Sequence, residues 1–136
     1  MTNEDCLHLF ESRLREAGLA YKTVSSHERG ARLFLIDYLA GEGIWSTEAG
    51  VSVVEDFLGN WLIYSYELSS KTLLTDSARG IKRFYQCMAK EELVEEALCR
   101  AVRELIQEHI DEWVDAMVLY DRRRTLSHLR EWLSTQ

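Results

Sequence analysis

Residues 68–90 read Leu-Ser-Ser-Lys-Thr-Leu-Leu-Thr-Asp-Ser-Ala-Arg-Gly-Ile-Lys-Arg-Phe-Tyr-Gln-Cys-Met-Ala-Lys, and this stretch decides the fold class. Ser69 or Ser70 is a typical helix N-cap, because a side-chain oxygen there accepts from a free backbone amide. Apolar residues then recur at steps of three and four, the period of one buried helix face. The other face is basic and carries Lys71, Arg79, Lys82 and Arg83. The stretch therefore predicts an amphipathic helix that continues to Lys90.

Two further helices are predicted toward the N-terminus. The first is capped near Thr2 or Asn3 and ends at Gly18. The second runs from about Tyr21 to Leu39, and the Gly-Glu-Gly sequence at 41–43 closes it. Both have apolar residues at helical spacing, which indicates that each buries one face.

A third helix is predicted over about Val53–Tyr66. Ser52 and Glu55, three residues apart and just before an apolar run, form a capping-box pattern. The apolar stripe of this helix is broad enough to be covered on two sides.

The C-terminal part contains a long apolar pattern from Glu91 to Tyr120, then a short amphipathic segment after Arg122-Arg123-Arg124. An unbroken helix of that first span would measure ~45 Å, against a radius of gyration near ~14 Å for a compact chain of this size. The helix must break or project. Its apolar residues pack back on the domain or on a second copy, and isologous dimerisation is the commonest solution. The residues predicted for this packing or dimer contact are Trp113, Met117, Tyr120, Leu129 and Trp132.

Composition supports one all-α domain. The chain has 136 residues, no proline, 46% hydrophobic and 29% charged residues, which is typical of a soluble globular protein. No apolar run approaches the ~20 residues of a membrane span, and the first ten residues lack the basic start of a secretory signal. We therefore expect a cytoplasmic protein. Cys6, Cys87 and Cys99 show no CxxC spacing and are interpreted as reduced, small apolar residues.

Charge is segregated along the chain. The net charge of −7 argues against nucleic-acid binding, which needs a basic surface. Residues 71–90, however, contain five basic residues and one acidic residue. Residues 122–136 contain four basic residues and one acidic residue. Residues 91–121 are the opposite, with two basic and ten acidic residues. A local basic surface is therefore compatible with the overall acidity.

No pattern predicts catalysis, a metal or a cofactor. The chain lacks the G-x-x-x-x-G-K-[ST], G-x-S-x-G and G-x-G-x-x-G motifs, and its four histidines are dispersed. We interpret the carboxylates between 95 and 115 as a solvated acidic face. A sharper hypothesis is that this face covers the basic helix in cis or repels DNA. These carboxylates are Glu95, Glu96, Glu104, Glu108, Asp111, Glu112 and Asp115.

Several segments, in order, resemble the tyrosine recombinase family. Residues 18–27, Gly-Leu-Ala-Tyr-Lys-Thr-Val-Ser-Ser-His, resemble the G-L-S-x-x-T-[IV]-x-x-Y segment of the N-terminal core-binding domain of phage integrases. Residues 68–72 resemble L-S-x-x-T, residues 78–85 resemble A-[IL]-[KR]-x-F-[FY], and Glu92-Leu93-Val94 resembles G-[LI]-[IV]. The resemblance covers about residues 5–95.

The resemblance implies a SAM-like orthogonal bundle of four helices over residues 1–95, with residues 96–136 as an acidic amphipathic helical extension. It also implies double-stranded DNA as partner, bound through the second and fourth helices. The residues it places at DNA are Lys22, Thr23, Ser26, Arg29, Lys71, Thr72, Arg79, Lys82 and Arg83.

The chain departs from the family in ways that bear on function. Ala20 and His27 replace the usual Ser and Tyr, and Glu131 stands where the catalytic H-x-x-R would need Arg after His128. The expectation is a DNA-binding module that is not an enzyme. It would be accessory to, or a regulator of, site-specific recombination and DNA integration, with a recombinase or other protein as a further partner. The alternative is a helical interaction or dimerisation module that has lost DNA binding.

Overall fold

Five helices and no strand make up the structure, a computed structural model that describes residues 1–136. The predicted all-α class is confirmed. None of the helices combines the length and apolarity that crossing a bilayer requires. The helices are α1 (Asn3–Glu16), α2 (residues 21–41, as Tyr21–Arg32, a π-helical Leu33–Tyr38 and a last turn Leu39–Gly41), α3 (residues 47–65), α4 (Lys71–Lys90) and α5 (Glu96–Ser134).

Local capping sets the ends of α1 and α4 where the sequence predicts them. The Thr2 hydroxyl accepts from the Asp5 amide at 3.0 Å, and the Asp5 carboxylate accepts from the Thr2 amide in return. Ser70 caps α4 by accepting from the Leu73 amide at 3.0 Å. After Lys90 the chain turns through Glu92, whose φ of 60° is in the left-handed region.

The predicted start of the third helix is wrong. Ser46, not Ser52, is the N-cap, accepting from the Ala49 amide at 3.3 Å. The Ser52 hydroxyl instead donates to the Ala49 carbonyl, so it does not cap a helix at Glu55. α3 therefore begins at Thr47–Gly50, tightens through a 3₁₀ turn at Val51–Val53, and continues as Val54–Asp56 and a π-helical Phe57–Ser65.

Aromatic side chains from the π-helical segments of α2 and α3 fill the centre of the core. Phe34 and Tyr38 each lie against Phe57, with ring centroids 5.2 Å apart in both pairs. Tyr85 of α4 is fully buried, and its hydroxyl donates to the Thr47 carbonyl at 2.8 Å. The start of α3 is thereby tied to α4 across the core.

The long pattern predicted to break or project forms one unbroken helix. α5 has 39 residues, ~58 Å at 1.5 Å per residue. It starts at Glu96 rather than Glu91, because residues 91–95 form the turn after α4. Its first half joins the core through Val102, Ile106, Trp113 and Met117. Every residue after Arg124 is exposed, so the helix projects from the body beyond that residue.

Candidate nucleic-acid interface

Helices α2 and α4 approach each other through their backbones. A Cβ added to Gly30 would lie 2.5 Å from the Ser77 Cα, and one added to Gly80 would lie 2.7 Å from the His27 carbonyl oxygen. Only glycine fits at both positions, since real Cβ atoms do not make contacts this short. This close crossing sets how the outer edges of the two helices lie relative to each other.

An open groove lies between the first two turns of α2 and the middle of α4. Five of the nine residues predicted at DNA line it: Lys22, Thr23, Ser26 and Arg29 from α2, and Arg79 from α4. His27 and Asp76 line it as well. Tyr21 and Ser25 complete the lining, so the groove combines three cations, four hydroxyls, one imidazole and one carboxylate.

The remaining four predicted residues divide between the two edges of α4. A helix turns about 100° per residue, so Thr72, Arg79 and Arg83 share one edge while Lys71 and Lys82 share another. Arg83 lines an adjoining groove against α1, together with Arg13 and Lys90. Thr72 and Arg83 therefore lie on the same edge of α4 as Arg79, Lys71 and Lys82 lie on another edge, and none of the four lines the α2–α4 groove.

Most of these cations have no carboxylate partner. Lys22, Arg29 and Arg83 form no salt bridge, and Arg79 lies 4.0 Å from Asp76 with its side chain 68% exposed. Arg32, one turn beyond the groove, is different because it pairs with both Glu11 and Glu28 at 3.3 Å. The groove cations are therefore available for an anionic ligand.

The N-terminus of α2 adds backbone donors beside Lys22. Ala20 is the N-cap and offers no side-chain oxygen, in keeping with the predicted departure from the family pattern. The amides of residues 21–23 donate no hydrogen bond, and the first helical bond runs from the Val24 amide to the Ala20 carbonyl. Free amides at a helix N-terminus favour an anion such as phosphate.

His27 is a groove residue that sequence reasoning missed. Burial lowers the pKa of its imidazole, and the nearby Arg83 and Arg79 lower it further, against an opposing effect of Asp76. Its Nδ1 is buried without a hydrogen-bond partner. The ring is therefore neutral near pH 7. The backbone of His27 lies against Gly80 beside the groove, and no periodicity signals a contact between positions 27 and 80.

The acidic face of α5 does not cover the basic helices. The seven carboxylates predicted on this face are all exposed, and none pairs with a cation of α2 or α4. The Glu112 carboxylate lies 3.4 Å from the His109 imidazole of the same helix. No ion pair therefore covers the basic helix in cis, although Glu96 lines the groove that also contains Arg83 and Lys90.

The residues predicted for packing or dimer contacts separate into two groups. Trp113 and Met117 are buried in the core. Tyr120 packs edge-on against Tyr64, with ring centroids 5.1 Å apart. Leu129 and Trp132 are 49% and 58% exposed. The first three are packing residues of this chain, and only the last two remain open to a partner.

No protein-family model, curated protein or solved structure matches this chain.

Proposed function

We propose that this chain is a non-catalytic DNA-binding module that grips double-stranded DNA along the α2–α4 face. The observation that carries the proposal is the convergence of Lys22, Arg29 and Arg79 on one groove beside the uncapped N-terminus of α2. The resemblance to integrase core-binding domains supports the same face. It also supports a SAM-like orthogonal arrangement of the first four helices, with residues 1–95 as the DNA-facing domain and residues 96–136 as its extension.

The chemistry of the groove suits the DNA backbone. Lysine and arginine neutralise phosphates and release counterions. The hydroxyls of Thr23 and Ser26, with the free amides of residues 21–23, can donate to phosphate oxygens and position the duplex. Such contacts orient DNA without reading its sequence, which fits an accessory role beside a recombinase.

The acidic surface of α5 confines DNA to this face. Its exposed carboxylates repel phosphate from the outer side of α5, while the cations of α2 and α4 attract it. The overall charge of −7 is thus compatible with DNA binding through one surface.

The test is a salt titration of binding to a 30 bp duplex followed by fluorescence anisotropy. We expect the logarithm of the binding constant to fall linearly with the logarithm of salt concentration. The slope should correspond to the release of several counterions from DNA. Arg29→Glu with Arg79→Glu should reduce that slope by about two, because each phosphate contact contributes ~0.9.

Two matched controls carry the same change in net charge. Arg100→Glu with Arg103→Glu changes exposed residues of α5 and should leave DNA affinity within about twofold, since this surface already repels phosphate. Lys71→Glu with Lys82→Glu changes the other edge of α4 and should weaken binding less than the groove variant. Absence of binding at low salt, or equal losses in the groove and α5 variants, would refute the proposal.

A further inference from the structure

The projecting end of α5 carries an apolar stripe on the side that faces away from the body. The body-facing side continues from Trp113 and Met117 through Tyr120 and Arg124, and at helical steps then reaches the polar His128 and Glu131. The leucines lie on the opposite side. This chain therefore cannot cover them with its own core.

The stripe has the spacing of a helix-pairing seam. Leu119, Leu126 and Leu133 are seven residues apart, and Leu129 stands three after Leu126, as at heptad positions a and d. These leucines are 45–57% exposed. The stripe is ~21 Å long, about four helical turns. Four large apolar side chains aligned in one exposed row indicate an interaction surface.

Unpaired arginines edge the stripe. Arg122 lies within it, and Arg123 and Arg130 lie along one flank, all exposed and without a carboxylate partner. Arg124, on the body side, is different because it pairs with Asp121 at 2.6 Å and donates to the Glu67 carbonyl. The flank that faces a partner is therefore basic.

A second copy of the chain is a poor match for this stripe. A parallel pair would oppose Arg122 to Arg122 of the other copy within the seam. An antiparallel pair centred between Leu126 and Leu129 would set Arg123 beside Arg130 of the other copy. Like charges that face each other across a helix pair are destabilising, and the only carboxylate in residues 122–136, Glu131, lies on the wrong side.

An anionic membrane or DNA is also a poor match. The same side of the unbroken helix continues toward the N-terminus as Glu104, Glu108, Asp111 and Asp115. A straight helix that laid its leucines on an anionic surface would bring these carboxylates to that surface as well. Electrostatic repulsion there opposes the attraction of the arginines.

We infer that the leucine stripe of α5 binds an amphipathic helix of another protein, apolar on one face and edged by carboxylates. The partner's apolar residues would pack between the leucines and its carboxylates would pair with Arg122, Arg123 and Arg130. The binding mode is helix against helix, with anchors at steps of three and four. This inference does not depend on DNA binding, because the stripe and the groove share no residue.

The test uses two synthetic four-heptad peptides with leucine at positions a and d. One has glutamate at e and g, the other lysine, and anisotropy of the labelled peptides measures their binding to the full chain. The glutamate peptide should bind in the micromolar range and the lysine peptide at least about tenfold more weakly. Arg123→Glu with Arg130→Glu should invert this preference.

A matched pair of variants separates the stripe from general helix effects. Leu126→Glu with Leu129→Glu should weaken the glutamate peptide roughly 100-fold or more, since each leucine buried is worth about tenfold or more in affinity. Ser127→Glu with His128→Glu makes the same substitutions off the stripe and should change affinity less than threefold. Circular dichroism should show both variants folded, because none of the four residues touches the core.

Four outcomes overturn the inference. They are equal binding of the two peptides, no binding of either, sedimentation of the chain as a dimer that the Leu126 and Leu129 changes abolish, and binding to phosphatidylserine vesicles that those same changes abolish. None of these outcomes bears on the groove, which the duplex titration tests separately.

Discussion

The two halves of α5 belong to one unbroken helix, yet they behave as different kinds of surface. In residues 96–117 the apolar side faces the body and enters the core, and the outer side is acidic. In residues 118–134 the apolar side faces outward and one flank of it is basic. Helical periodicity alone therefore does not indicate whether an apolar stripe packs in the core or binds a partner. What matters is the direction of the stripe relative to the body, and it reverses near Tyr120.

The largest expected loss of stability comes from a substitution in the part of α5 that packs in the core. Trp113→Ala should cost about 3–5 kcal/mol of unfolding free energy, because it removes a buried indole that packs over Gly59 and stacks on His109. Trp132→Ala, in the projecting half, should cost less than about 0.5 kcal/mol, since that side chain is exposed. Urea unfolding of both variants checks the comparison, and equal losses would contradict it.

The next effect probes the contact between α3 and α5. A Cβ at Gly59 would lie 2.5 Å from Trp113 Nε1, so Gly59→Ala should force the indole aside at a cost of about 1–3 kcal/mol. Gly41→Ala is the control, because nothing lies within 4 Å of that position. The control should be neutral or stabilising by up to ~1 kcal/mol. A smaller loss at Gly59 than at Gly41 would mean that the packed half is loosely held.

Truncation of α5 at two positions tests separately how much its projecting end and its packed part contribute to stability. Removal of residues 125–136 takes away only exposed residues and should change the free energy of unfolding by less than about 0.5 kcal/mol. Removal of residues 96–136 should abolish folding, because it strips Val102, Ile106, Trp113 and Met117 from the core. Thermal unfolding followed by circular dichroism measures both. A folded 1–95 fragment would show that α5 is dispensable to the domain.

The smallest effect is a pH dependence that neither half of α5 explains. The lowered pKa of His27 means that the unfolded chain takes up a proton near pH 6.5 that the folded chain resists. Stability should therefore be constant at higher pH and fall as pH drops below about 6.5. His27→Gln should flatten that fall. The test is to measure the urea midpoints of the wild-type chain and of His27→Gln at pH 7.5 and pH 5.5. If the midpoint falls equally in both proteins between these pH values, His27 is excluded as the cause.

Features that depend on neighbours in sequence were predictable, and those that depend on distant contacts were not. The capping residues Thr2 and Ser70 and the end of α4 at Lys90 follow from local hydrogen bonding. The start of α3 did not follow from local sequence, because Ser46 and Ser52 are both residue types that cap helices. In the structure Ser46 is the cap, and Ser52 lies within the 3₁₀ turn at Val51–Val53.

The candidate site shows the same division. The cations of α2 and α4 were identifiable by charge segregation and by the family resemblance. Helical spacing separates the α4 cations into two edges, but which edge meets α2 depends on the contact of Gly30 with Ser77, 47 positions apart, which no periodicity reveals. The π-helical segments Leu33–Tyr38 and Phe57–Ser65 likewise have no recognised local signal.

The contact between Gly30 and Ser77 also bears on the entropy of recognition. Two backbones in direct contact leave no intervening rotamers to rearrange, so we expect α2 and α4 to resist displacement relative to each other. The distances between the Cα atoms of Lys22, Arg29 and Arg79 are therefore set before any ligand arrives. A rigid ligand with matching anion spacing therefore needs no rearrangement of the two helices, and the ordering on binding is confined to the exposed lysine and arginine side chains. Flexible polyanions gain no such advantage, which makes the stiffness of the ligand itself a determinant of selectivity.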